Sequence, residues 1–301
     1  MWASIAIYLA VWGASVGYLA FKGPDAGADW TFPFISLVIF GVGLSGITLF
    51  LSRGPKPEAP PSTRPGVELV AMMIYLAAYA VGFLGYGLGM LREAVSAGPA
   101  QEVAVLGVKL LVHVVAPAIL LIVLGARIMP IVASGPRPVA FWSVLIVLGA
   151  ITTGLLAVVS PSLQQISELN APWTTLAWAG PASFIWIAIE AGLCEEFLFR
   201  GVLQTRAEAA LKSPVAAIVL TSILFGLAHA PGLFLRGGPG VDGWSTDPVQ
   251  VVAYTIATLS PLSILFGVIW MRTRSLLLCV LLHAAVDFLP NLAEFVRTWA
   301  S

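Results

Sequence analysis

Nine apolar stretches of about 20 residues dominate this chain, at roughly 2–21, 32–52, 67–91, 103–126, 138–159, 180–209, 214–235, 249–271 and 275–296. About 20 such residues are what an α-helix needs to cross a bilayer. Only 10% of the 301 residues are charged, against roughly 25% in an average soluble domain. A chain this poor in charge cannot cover a water-facing surface. The expected fold is therefore all-α: a polytopic transmembrane helical bundle of about nine spans, placed in the cell membrane with lipid as its first partner. The first stretch has no basic segment before it and no A-x-A site, so it reads as a retained helix and not a cleaved signal peptide.

Lys plus Arg equals Asp plus Glu at 15 each, which removes the basic patch that nucleic-acid binding calls for. Cys194 and Cys279 lie in separate apolar runs and make neither a disulfide framework nor a zinc spacing. Loop punctuation falls at Gly54-Pro55-Lys56-Pro57, at Pro60-Pro61 and at Gly135-Pro136-Arg137-Pro138. The Gly- and Pro-rich residues 231–243 read as a longer, mobile loop. Arg53, Lys56, Arg64, Arg127, Arg137, Arg206, Lys212, Arg272 and Arg274 fall in even-numbered loops, nine basic residues against four on the other side. By the positive-inside rule the N-terminus is cytoplasmic and the C-terminus outside.

A charge at the bilayer centre costs at least ~2.5–3.5 kcal/mol. The sixth stretch nevertheless holds Glu190, Glu195, Glu196 and Arg200, and all three histidines, His113, His229 and His283, fall within spans. Glu196 and Arg200 stand at i and i+4 and can neutralise each other. Glu195 lies about 100° around the helix, without that partner and free to handle protons. The turn after this helix falls near Lys212; Glu195 precedes it by 17 residues and His229 follows it by 17. Both then sit roughly 25 Å from the turn at 1.5 Å per residue, on antiparallel helices. Phe225 and His229 share a helix face, as do His283 and Asp287. Counted from Ser275, the last pair is predicted shallower, about 12–18 Å deep. Lys109 and His113 are assigned to structure or a helix interface. A lone intramembrane histidine is ordinarily a packing residue, and a Glu–Arg pair ordinarily a staple. What outweighs those readings is the set EExxxR, FxxxH and HxxxD, in order on three apolar helices.

Together these motifs resemble the CPBP family, the type II CAAX prenyl endopeptidases, bacteriocin-processing proteins and relatives. The resemblance covers about residues 180–296 and implies a four-helix intramembrane protease core within 171–301. Residues 1–170 are helices of unassigned role. It further implies that Glu195 and His229 hold and activate a water, with Glu196, Arg200 and Phe225 in support. His283, with Asp287, would steady the oxyanion. The last position is often Asn in this family; an ionised Asp287 beside an oxyanion would oppose catalysis. Asp287 must be protonated, orient His283 or ligate a metal. Two readings of the water stay open: activation by Glu195 and His229 alone, which is preferred, or zinc held by Glu195, His229 and His283. HExxH is absent.

The expected activity is peptide hydrolysis, on CAAX-type or other membrane-associated peptides, lipidated or not. Rivals are a proton-coupled transporter, which ionisable intramembrane residues also suit, and a non-catalytic peptide-binding or immunity protein. A GxSG match at Gly43-Leu44-Ser45-Gly46 raises a serine protease, but nothing in the sequence sets His113 beside Ser45.

Overall fold

A computed structural model describes residues 1–23, 30–133 and 138–300. Gly135, Pro136 and Arg137 of one expected loop lie outside the described residues. Nine long helical stretches carry the architecture: α1 (Trp2–Lys22), α2 (Thr31–Leu51), α3 (Pro65–Ala94), α4 (Pro99–Val123), α5 (Pro138–Val159), α6 (173–211), α7 (Pro214–Arg236), α8 (Pro248–Thr273) and α9 (Leu276–Trp299). Two short helices, Met129–Ala133 and Ser162–Glu168, sit in connections. No strand occurs among the described residues. The chain is an integral, multi-pass membrane protein. Eight of the long helices are apolar enough to cross a bilayer. The exception is α6, the most heavily charged.

Helix α6 is not uniform. It contains π-helical turns at Ala188–Leu193 and Phe197–Gln204, on either side of Glu195 and Glu196. Such turns are uncommon and occur often at functional sites. The helix ends where Lys212 takes a left-handed conformation, φ 52°, and Ser213 then caps α7 through its side chain. The expected turn is therefore where the spacing put it. The loop expected over 231–243 starts later, because α7 continues through Pro231 to Arg236. Proline inside a membrane helix is tolerated where neighbours satisfy the freed backbone groups. The guanidinium of Arg236 reaches back to the Leu84 carbonyl of α3 at 2.6 Å.

Two glycines set the closest helix approaches. A Cβ on Gly192 would lie 2.8 Å from the Val280 carbonyl of α9, and one on Gly226 would lie 2.7 Å from the Thr255 carbonyl of α8. Small residues at such crossings are how membrane helices gain packing without a hydrophobic drive. Helix α8 is the most enclosed of the eight and α5 the least.

Two further pairs fasten the periphery. Buried Glu68 on α3 meets buried Arg206 on α6 at 2.8 Å, and Glu68 also accepts hydrogen bonds from Ser62, Thr63 and Arg64. At the start of α8, Asp247 accepts from Lys22 and Tyr18 of α1 at 2.7 and 2.6 Å. Those hydrogen bonds, Lys22 first, hold its carboxyl well below the usual range. A depressed carboxyl stabilises the fold above its unfolded value, near 3.9, and loses that contribution as pH falls below it. Asp247→Asn should therefore lower the unfolding temperature in detergent at pH 7, the gap to wild type closing below about pH 4. A gap independent of pH would contradict the pairing. Gly192→Val should destabilise by about 1–3 kcal/mol, read in the same assay; an unchanged unfolding temperature would show that α6 and α9 do not approach this closely.

Candidate active site

Glu195, Glu196 and Arg200 of α6 face α7, α8 and α9. Glu196 and Arg200 are wholly buried and meet at 3.0 Å between Oε2 and Nε. Arg200 Nη1 donates to Ser263 of α8 at 3.0 Å, and its guanidinium lies over the rings of Phe225 and Phe266 at 5.6 and 5.9 Å. The other oxygen of Glu196 accepts from His283 Nδ1 of α9 at 2.8 Å. A buried carboxylate thus binds a cation on its own helix and a ring on the next, which offsets the desolvation of each.

Glu195 is placed differently. Its side chain keeps 17% exposure where Glu196 keeps none. Oε1 lies 3.9 Å from His229 Nε2, and Oε2 lies 3.8 Å from His283 Nε2. Both distances are too long for direct hydrogen bonds. They are what results when two bonds of about 2.8 Å meet at roughly a right angle on one water.

Each imidazole is oriented by its second nitrogen. His229 Nδ1 lies 2.7 Å from the Phe225 carbonyl. A carbonyl only accepts, so Nδ1 carries the proton and Nε2 faces Glu195. The Phe225 ring packs on the imidazole at 4.6 Å and on Phe199 at 4.8 Å. His283 has a carboxylate at each nitrogen, Glu196 at Nδ1 and Asp287 at Nε2, the latter 3.0 Å away. A neutral ring has one N–H, so satisfying both takes a second proton shared among the three groups. Phe266 of α8 stacks on this ring at 5.2 Å.

The predicted shallowness of His283 and Asp287 does not hold. His283 Nδ1 lies 2.8 Å from Glu196 and its Nε2 3.8 Å from Glu195, so the α9 pair stands level with the α6 glutamates. Glu195, Glu196, Arg200, Phe225, His229, His283 and Asp287 all converge. His113 does not join them directly. Its Nδ1 bonds the Lys109 carbonyl at 2.8 Å and its Nε2 meets the Tyr79 hydroxyl at 2.6 Å. Lys109 pairs across helices with Glu190 at 2.5 Å. Both belong to helix interfaces, as expected. Ser45 bonds the Phe40 carbonyl of its own helix at 2.9 Å, and both nitrogens of His113 are taken, so the serine-protease reading fails.

Zinc fits poorly. Among the described residues no group of three His, Cys, Asp or Glu side chains is arranged to hold a metal ion. His283 Nε2, one of the supposed ligands, is already against Asp287.

Residues 176–289 match the family model for type II CAAX prenyl endopeptidase Rce1-like proteins. Over that segment the chain is similar to this family. The matched stretch contains every motif residue from Glu195 to Asp287. No curated protein and no solved structure matches the chain. Tyr79, Ser263, Phe266 and the Lys109–Glu190 pair carry no sign in the sequence of lying near the motifs, because no periodicity within one helix reveals a partner on another.

The two glutamates differ in what their loss should do. Glu196→Ala leaves Arg200 and His283 without their carboxylate and should cost about 3–5 kcal/mol. Glu195→Gln, whose nearest partners are imidazoles at 3.8 and 3.9 Å, should shift stability by less than about 1 kcal/mol. Thermal unfolding in detergent checks both; equal losses would erase the distinction between them.

Proposed function

We propose that this chain hydrolyses peptide bonds in membrane-associated peptides by means of a water held between Glu195, His229 and His283. The observation that carries the reading is the pair of 3.9 and 3.8 Å gaps around one half-buried carboxylate. Glu195 takes a proton from the water as its oxygen attacks the scissile carbonyl carbon. His229, fixed by the Phe225 carbonyl, holds that water through Nε2. The electron pair displaced onto the carbonyl oxygen draws the Nε2–H of His283, which turns partly from Asp287. Of the three roles open to Asp287, orienting His283 is the one its 3.0 Å contact favours. When the tetrahedral intermediate collapses, the C–N bond breaks and Glu195 returns its proton to the amine. The substrate class is CAAX-type or another membrane-borne peptide, lipidated or not, and the N-terminus lies on the cytoplasmic side.

Comparison of membrane peptides from cells with wild type or Glu195→Ala tests this. C-terminally trimmed species should be present in the first and vanish in the second. With a purified substrate, Glu195→Gln and His229→Ala should each slow cleavage by about 10²–10⁴, with binding retained. Loss of proton flux in sealed vesicles without any cleavage by wild type would favour a transporter instead. If neither variant changed cleavage or flux, a non-catalytic binding protein would remain.

A further inference from the structure

One face of α7 carries Phe225, His229 and Arg236. At about 100° per residue, His229 and Arg236, seven positions apart, lie within about 20° of each other around the helix. An arginine at the end of a membrane helix ordinarily extends outward to the interface. Arg236 does the opposite. Its side chain folds back toward His229, with Cδ over Gly89 of α3 and Nη2 over Gly232. Its Nε donates to the Leu84 carbonyl at 2.6 Å. A Cβ on Gly232 would stand 3.0 Å from Nη2, so the bare backbone there makes the room. Gly232 is three residues from His229 and Arg236 is seven. At 1.5 Å per residue the guanidinium lies about 5–10 Å along α7 from His229. That is the reach of about two or three residues of extended chain.

This guanidinium has donors to spare. It carries five N–H groups, and the Leu84 carbonyl takes one. Among the described residues no carboxylate pairs with Arg236, and its two terminal amino groups make no hydrogen bond. Arg236 is exposed, and the His229 side chain on the same face keeps 30% exposure, so a ligand can reach both. The other guanidinium acting on Arg236 is that of Arg92 on α3, which has a carboxylate of its own, Glu102, at 3.4 Å. Neighbouring like charges repel, and an anion beside Arg236 relieves that cost. Two parallel N–H groups suit the two oxygens of a carboxylate. A Lys or Arg side chain would be repelled, and an apolar one would leave the donors unmet.

We propose that Arg236 is a specificity-determining residue whose Nη1 and Nη2 hold a carboxylate of the peptide substrate, two or three residues from the cleaved bond. That carboxylate is the end of the peptide or an Asp or Glu side chain, which present the same pair of oxygens. The inference rests on the protease reading given above for its place in cleavage, though not for its ability to bind. Nε stays on the Leu84 carbonyl, which fixes the plane of the fork. Helix α3, which lies outside the matched residues 176–289, thereby helps to build the site.

Binding and cleavage test it separately, with Leu/Ala peptides in neutral detergent. One peptide has a free C-terminal carboxylate, one a C-terminal amide, and an amidated set has a single Asp at successive positions. Glu195→Ala protein should bind the free-carboxylate peptide, or one of the Asp peptides, about tenfold more tightly than the plain amide, a difference of about 1.4 kcal/mol. Whichever is preferred identifies the source of the carboxylate. Arg236→Gln should bring the ratio to one, and Arg236→Lys, a point charge without a fork, should fall between. Gly232→Ala, which crowds Nη2, should lower the ratio with Arg236 still in place. In cleavage, Arg236→Gln should cut the kcat/KM of the preferred peptide relative to the plain amide about tenfold, whereas a purely structural defect would slow both alike. Equal binding of all the peptides, or a ratio unmoved by Arg236→Gln, overturns the anchor and leaves the protease reading intact. Wild type that cleaves nothing while still preferring a carboxylate peptide overturns the protease reading and leaves the anchor standing.

Discussion

The buried triangle of Arg200, Glu196 and His283 is the interaction on which the rest depends. One carboxylate with no exposure satisfies a guanidinium on its own helix and an imidazole on another, at 3.0 and 2.8 Å. Remove it and Arg200 is left with no carboxylate, only the Ser263 hydroxyl, while His283 keeps Asp287 alone. The triangle also fixes α6 against α9, and so fixes where Glu195 lies. Because Glu196 absorbs the structural demand, its neighbour is left with two imidazoles at water-bridging distance and no direct ion pair. Adjacent residues of one type thus have separate tasks, set by a rotation of about 100°.

Much of this was legible in the chain itself. Intramembrane charges are expensive enough that Glu195, Glu196, Arg200, His229 and His283 marked a site before any coordinates. The i, i+4 pairs Glu196–Arg200, Phe225–His229 and His283–Asp287 each form a contact, since one helical turn decides who neighbours whom. Glu195 and His229, each 17 residues from Lys212, meet across the turn that this residue makes.

What the sequence could not show lies between helices or in departures from regular winding. The π turns flanking Glu195 have no compositional sign. The common level of His283 and Glu195 is likewise a tertiary fact, which residue counts from two separate turns do not give. Lys109 has no acidic partner on its own helix, yet it finds Glu190 across an interface; Glu68 and Arg206 do likewise over 138 positions. Helix α7 passed through Pro231 where the Gly and Pro content read as loop, because a neighbouring helix can stand in for lost backbone partners.

Helix α8, the most enclosed, contributes no reacting group. It backs the others: Ser263 receives Arg200, the Gly267 carbonyl receives Gln204, Phe266 stacks on His283, and Trp270 bonds Thr205. On the protease reading, support and chemistry fall to different spans. Glu195, His229 and His283 are carried by helices braced on α8, and Ile185, Leu227 and Leu277 of those same helices are exposed on the outside. A peptide arriving in the plane of the lipid would then meet them sideways, with no need for α8 to yield.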